Sequence, residues 1–96
     1  NANEYTPVDE HVAVTGEVAA VENRPFDFRT PTVVGERIDD TTHTQIVNGR
    51  GYDHNWILNT QGDITAVAAS LYDPRTGVQM DIYTDQPGIQ FYAGNF

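Results

Sequence analysis

Residues 64–85 read ITAVAASLYDPRTGVQMDIYTD, and their pattern predicts two antiparallel strands joined by a tight loop. Its first nine residues favour a strand, and residues 73–77 then favour a hairpin loop. Proline suits the second position of a type I turn, and Gly77 suits the left-handed residue that completes a bulged loop. On the return strand Val78, Met80 and Ile82 share one face, while mostly polar side chains share the other. This period of two is typical of a half-buried antiparallel strand.

Shorter strands are predicted outside the hairpin, over 17–21, 55–59 and 89–92, and residues 1–16 read as an arm or edge strand. Residues 24–32 predict a loop, because prolines flank Phe26 and Phe28, and we expect the two rings to anchor it. Residues 39–44, followed by Asn48-Gly49, have the chemistry of loops and turns. No stretch shows a sustained 3.6-residue periodicity, so the predicted fold class is all-β and antiparallel, with no substantial helix.

The composition limits which partners the chain can take. Its 96 residues make one domain at most, with a modest core. Fourteen acidic residues against five basic ones give a net charge of -9, which repels a phosphate backbone, so nucleic acid is not expected as a partner. No apolar run approaches the roughly 20 residues that cross a bilayer, so no membrane span is predicted. The absence of cysteine leaves the compartment open, with the cytoplasm as default and the periplasm as alternative.

Asp53 and His54 are the most suggestive neighbours for chemistry. An aspartate at the start of a strand can accept hydrogen bonds from a sugar hydroxyl, and a histidine titrates near neutral pH. Adjacent residues of a strand point to opposite faces, however. We therefore expect only one of the two to face a pocket, with the other a satisfied structural side chain.

Other chemistries lack the residues they need. The spacings of His11, His43 and His54 are long and irregular, so no metal site is predicted, and no cofactor is expected. Ser70 stands alone without the glycine flanks of a hydrolase nucleophile. Four aromatic residues could either stack on a sugar or pack in a core: Trp56, Tyr83, Phe91 and Tyr92. The residues alone thus indicate an antiparallel module that can present a polar pocket.

The stretch Gly51-Tyr52-Asp53-His54-Asn55-Trp56 resembles a segment of the aldose 1-epimerase (galactose mutarotase) family. Four further stretches agree with that family in the same order, over 5–9, 15–17, 25–29 and 84–96. The resemblance therefore covers essentially the whole chain. It implies that residues 1–96 are a single partial domain, a middle-to-C-terminal section of a large antiparallel β-sandwich (supersandwich).

The resemblance also implies a function. Members of the family interconvert the α and β anomers of hexoses such as galactose and glucose by general acid-base ring opening, without a cofactor. Asp53 matches a sugar-binding aspartate and Gln86 matches a pocket glutamine, whereas His54 matches a structural residue. The family's catalytic histidines correspond to positions before Asn1 and its general-base glutamate to a position after Phe96. No catalytic residue is therefore expected within the chain.

Two hypotheses follow from the sequence. In the first, the chain is a piece of an aldose 1-epimerase that binds a hexose and is inactive alone. Its exposed sheet edges would then associate with the missing segments or with a second copy. In the second, the chain is a non-catalytic carbohydrate-binding or assembly module.

Overall fold

A computed structural model of the chain describes residues 1–96. The chain forms six strands, one short α-helix and one turn of 3₁₀ helix. The strands are β1 (Ala2–Thr6), β2 (Ala19–Ala20), β3 (Asp53–Leu58), β4 (Ala69–Asp73), β5 (Val78–Ile82) and β6 (Gly88–Tyr92). The helix α1 spans Thr44–Gly49, and the 3₁₀ turn spans Val34–Glu36.

The strands form two antiparallel sheets. Four strands make the larger sheet, in the order β2-β1-β3-β6, and β4 pairs only with β5. In the larger sheet Tyr5 lies opposite Trp56 on one side of β3, and Ile89 lies opposite Trp56 on the other. The all-β, antiparallel class predicted from the sequence is confirmed.

The loop between β2 and β3 covers one face of the larger sheet and builds the core. The Phe26 ring stacks on Tyr5 at 4.3 Å between centroids. The Trp56 indole N–H donates to the Phe26 carbonyl oxygen at 3.0 Å, and the Tyr52 hydroxyl donates to the Pro25 carbonyl oxygen at 2.6 Å. Phe26 is fully buried, as the anchoring role predicted. This core is therefore a cluster of aromatic rings tied to the loop backbone by hydrogen bonds.

The prediction of loop and turn over 39–44 and 48–49 is wrong from Thr44 onwards, because α1 begins at Thr44 and includes Asn48 and Gly49. The His43 ring nitrogen Nδ1 accepts from the Gln45 N–H at the helix start, and Arg50 ends the helix in the left-handed conformation. The helix is only about one and a half turns long, and its Ile46 side chain packs in the core. Six residues are too few to show a helical period in the sequence. No helix in the structure is long and apolar enough to span a membrane.

Two predicted strands are shorter than expected. The segment 17–21 contributes only Ala19–Ala20 as β2. The strand expected from residue 64 begins at Ala69, because the Asp63 carboxylate accepts from the Thr65 N–H at 2.9 Å and from its hydroxyl at 2.6 Å. This local hydrogen bonding holds residues 63–66 in a turn instead of a strand.

The β4–β5 hairpin has the predicted loop and period, but its apolar face is not half-buried. Leu71 lies opposite Met80, and Asp73 lies opposite Val78. Leu71, Met80 and Val78 are 44%, 49% and 64% exposed. The period of two fixes which side chains share a face, but nothing within residues 1–96 covers that face.

Candidate functional site

At strand β3 the two faces of the larger sheet differ in burial, one being covered and the other not. The strand alternates between buried and half-buried residues, and His54, Trp56 and Leu58 are the buried ones. The opposite side, which we call the open face, is not covered by the loop that builds the core. The pairing places on it Glu4 and Thr6 of β1, Asp53, Asn55 and Ile57 of β3, and Gly88, Gln90 and Tyr92 of β6.

Asp53 lies at the start of β3 on the open face, and its carboxylate is held by one neighbour. The Gln90 side-chain amide donates to Asp53 Oδ1 at 2.9 Å. Gln90 lies directly opposite Asn55 in the register, so it is the diagonal neighbour of Asp53 on the same face. The second carboxylate oxygen and the remaining lone pairs of Asp53 can accept hydrogen bonds from a ligand.

Asn55 adjoins this pair in the middle of the open face. A Cβ atom added at Gly88 would collide with the Asn55 side-chain oxygen. Glycine at position 88 therefore lets the Asn55 carboxamide lie flat across β6. The result is a run of polar side chains, with Asp53, Asn55 and Gln90 together on two adjacent strands.

His54 points to the other face, as the alternation along a strand predicts. It is fully buried and packs edge-on against the Phe26 ring at 4.6 Å. Burial lowers the pKa of His54 to about 4, and the nearby Asp53 carboxylate only partly opposes this effect. His54 is therefore neutral at physiological pH and cannot reach a ligand on the open face. Its predicted structural role is confirmed.

Gln86 lies elsewhere. It is exposed in the turn between β5 and β6, and its amide donates to Asp85 Oδ1 at 2.8 Å. Tyr92 pairs with Asp53 and Gly88 pairs with Ile57, so these two pairs are about 13 Å apart along β3 by the strand rise. Gln86 precedes Gly88 and lies farther from Asp53 still. The structure therefore does not bring together the two residues predicted to bind sugar.

Gln90 is the contact of Asp53 that the sequence interpretation missed. The sequence contains part of this information, because a strand is predicted over 89–92 and alternation along a strand places Gln90 on the face opposite Ile89 and Phe91. Ile89 and Phe91 do pack against the core. What the sequence did not supply was the pairing of β6 with β3, which places Gln90 beside Asp53.

The turn that carries Gln86 borders a mostly polar open groove at the far end of β3. The groove is lined by Asn3, Glu4, Ile57, Leu58, Asn59, Gln61, Gly62, Asp85 and Pro87. No three histidine or acidic side chains lie close enough together in the structure to hold a metal ion. Trp56 and Phe91 contribute to the core, whereas Tyr92 is exposed on the open face beside Asp53. The Tyr92 hydroxyl donates to the Phe96 carbonyl oxygen at 3.2 Å and accepts from the Phe96 N–H at 2.9 Å, so what Tyr92 presents beside Asp53 is its ring.

The fold and the open face define a β-sheet module with carboxylate and amide side chains grouped on one face. The family model described as aldose 1-epimerase matches residues 1–96, so the chain belongs to the aldose 1-epimerase family. It is 39% identical over 95 residues to galactose mutarotase of Homo sapiens, covering 99% of this chain and 26% of the relative. It is 35% identical over 96 residues to aldose 1-epimerase of Escherichia coli (strain K12), covering 99% and 27%. The chain thus spans about a quarter of the length of the curated relatives it matches.

Proposed function

We propose that this chain serves carbohydrate metabolism by supplying a sugar-binding wall of an aldose 1-epimerase. In this proposal the Asp53 carboxylate accepts hydrogen bonds from hydroxyl groups of a hexose such as galactose or glucose. One observation carries it: the Asp53 carboxylate lies on the open face with the Gln90 amide 2.9 Å from one oxygen. A carboxylate oriented in this way leaves acceptor sites for the vicinal hydroxyls of a sugar ring.

Anomer interconversion needs a base for the anomeric hydroxyl and an acid for the ring oxygen. The open face carries the carboxylates of Asp53 and Glu4 but no histidine, because His54 points into the core. Burial also lowers the pKa of His43, which lies on the core side of the loop. We therefore propose that the acid-base pair is supplied by groups outside residues 1–96, and that this section binds the sugar.

Gln86 remains a prediction from the family resemblance. Its amide donates to the exposed Asp85 carboxylate at 2.8 Å, and the turn that carries it borders the groove at the far end of β3. The geometry supports Gln90 more strongly, because Gln90 contacts the Asp53 carboxylate directly.

The test is the affinity of the full-length protein for D-galactose and D-glucose, measured by isothermal titration calorimetry. Asp53→Ala should weaken binding by about 1–3 kcal/mol, the usual cost of a lost hydrogen bond to a charged group. Asp39→Ala is the matched control, since it removes an exposed carboxylate outside both the open face and the groove and should leave the affinity unchanged. An Asp53→Ala protein that binds as tightly as wild type would remove Asp53 from the site.

The absence of histidine from the open face also fits the second hypothesis, a non-catalytic carbohydrate-binding module. Polarimetry of α-D-galactose separates the two. We expect the full-length protein to accelerate mutarotation and residues 1–96 alone to leave the rate at the buffer background. Sugar binding by the full-length protein without any acceleration would support the module instead.

A further inference from the structure

We propose that His54 is a positioning residue for Asp53: its Nδ1 atom accepts the Asp53 backbone N–H and so fixes where the Asp53 carboxylate stands on the open face. The inference rests on the proposed function, because it matters for activity only if Asp53 binds the sugar. The N–H of Asp53 lies 3.1 Å from His54 Nδ1.

The Asp53 N–H needs this partner because the neighbouring strand ends too early. Along β3 the backbone groups alternate in direction: Leu58 donates to Pro87 beside β6, and Asn59 donates to Asn1 beside β1. By this alternation the Asp53 N–H points towards the β1 side. Strand β1 ends at Thr6, which lies opposite Asn55, so the register would put Val8 opposite Asp53.

Val8 is not available to Asp53 as a strand partner. Its carbonyl oxygen accepts from Gln45 Nε2 and from Asn48 Nδ2, both at 2.9 Å. Its N–H donates to Gln45 Oε1 at 2.8 Å. The side chains of α1 have thus taken the backbone groups that would have continued the sheet, and His54 Nδ1 replaces the missing acceptor.

The same contacts determine which nitrogen of His54 carries the proton. Gln45 Oε1 is an acceptor, since it takes the Val8 N–H, and it lies 3.2 Å from His54 Nε2. His54 must therefore donate through Nε2, and in the neutral ring this leaves Nδ1 as the acceptor for Asp53. The orientation of the ring is fixed by α1 and does not depend on Asp53.

Gly49 allows the ring to be held this tightly. A Cβ atom at Gly49 would lie 2.8 Å from His54 Cε1, so α1 ends on a residue without a side chain where it meets the ring. Asp53 is then restrained at two places, at its backbone by His54 and at its carboxylate by Gln90. Preorganisation of this kind increases affinity because the ligand does not have to order the side chain that binds it.

Two variants of the full-length protein distinguish the roles of Nδ1 and Nε2 of His54. The oxygen of Asn occupies the place of Nδ1, whereas the amide of Gln occupies the place of Nε2. We expect His54→Asn to bind D-galactose within about twofold of wild type, and His54→Gln to bind it about five- to tenfold more weakly, the range of one hydrogen bond. Affinity is measured by titration calorimetry on protein shown to be folded by circular dichroism. Equal wild-type affinity in both variants would overturn the inference.

A measurement on the unmodified protein covers the case in which a variant does not fold. With ¹⁵N-labelled histidine, the His54 signals should show Nδ1 unprotonated and Nε2 protonated at pH 7, with a coupling across the Asp53 N–H to Nδ1 bond. A proton on Nδ1 would overturn the inference. Asp53→Ala distinguishes the two proposals: if it leaves the affinity unchanged, the proposed function fails, whereas a loss there without any loss in His54→Gln refutes only the positioning role.

Discussion

The two faces of β3 differ in how their polar groups are satisfied. On the inner face His54 and Trp56 direct their ring nitrogens to partners within the chain, Gln45 and the Phe26 carbonyl oxygen. On the open face the only side-chain bond made by Asp53 is the one from Gln90. The polar side chains on the inner side of β3 are thus hydrogen-bonded within the chain, whereas the Asp53 carboxylate on the other side keeps acceptor sites for a ligand. The inner face therefore determines the fold, whereas side chains of the open face can be replaced with little effect on it.

The largest effect is expected from breaking the inner face at Phe26. This ring is fully buried and contacts the rings of Tyr5, Tyr52, His54 and Trp56. Phe26→Ala should lower the free energy of unfolding by about 3–5 kcal/mol, as large-to-small core substitutions do. Urea unfolding measures it, with the exposed Val33→Ala as control within about 0.5 kcal/mol of wild type. A loss no larger than that of the control would contradict the assigned core.

The next effect is a dependence of stability on pH that comes from the inner face. Burial lowers the pKa of His54 to about 4, while His43 adds to the shift and Asp53 opposes it. Between about pH 6.5 and pH 4 His54 is therefore protonated in the unfolded chain but neutral in the folded chain. The free energy of unfolding has its full value above pH 6.5, and the His54 contribution lowers it by about 3 kcal/mol as the pH drops to 4. Denaturant unfolding across this range should show a steeper slope in wild type than in His54→Asn, because His43, whose pKa burial also lowers, contributes to both; equal slopes would contradict the assignment.

A smaller effect is expected on the open face at Gln90. Gln90→Ala removes the amide that holds the Asp53 carboxylate, so affinity for D-galactose should fall by about 1 kcal/mol while stability is nearly unchanged. Gln79→Ala, in the hairpin, is the control for loss of an exposed amide. A larger loss of affinity in Gln86→Ala than in Gln90→Ala would show that the sugar is bound at Gln86, as the family resemblance predicts, and not at Gln90.

The smallest effect concerns the apolar face of the hairpin. Leu71→Ser should change the stability of residues 1–96 by less than about 0.5 kcal/mol, since Leu71 is 44% exposed. The sequence predicts association of this chain with other segments or a second copy, which sedimentation of wild type and Leu71→Ser measures. A wild-type chain that stays monomeric at every concentration would contradict that prediction.

Much of this comparison could be predicted from the sequence. The period of two assigned Asp53 and His54 to opposite faces and Gln90 and Ile89 likewise, because alternation is a local property of an extended backbone. The contact between Gln90 and Asp53 could not be predicted, since it depends on the pairing of strands more than thirty residues apart. Helix α1 was missed because its stability comes from Ile46 in the core and from the Gln45 contacts with Val8, not from its own pattern.

Backbone amide shifts of the full-length protein, mapped during titration with D-galactose, show directly which face of the sheet binds the sugar. If the open face binds the sugar, the largest shifts should occur at Asp53, Asn55, Gln90 and Tyr92, and the core residues Tyr5 and Phe26 should change little. Shifts confined to the groove residues Asn59, Gln61, Gly62 and Asp85, with Asp53 and Gln90 unaffected, would show that the open face does not bind the sugar.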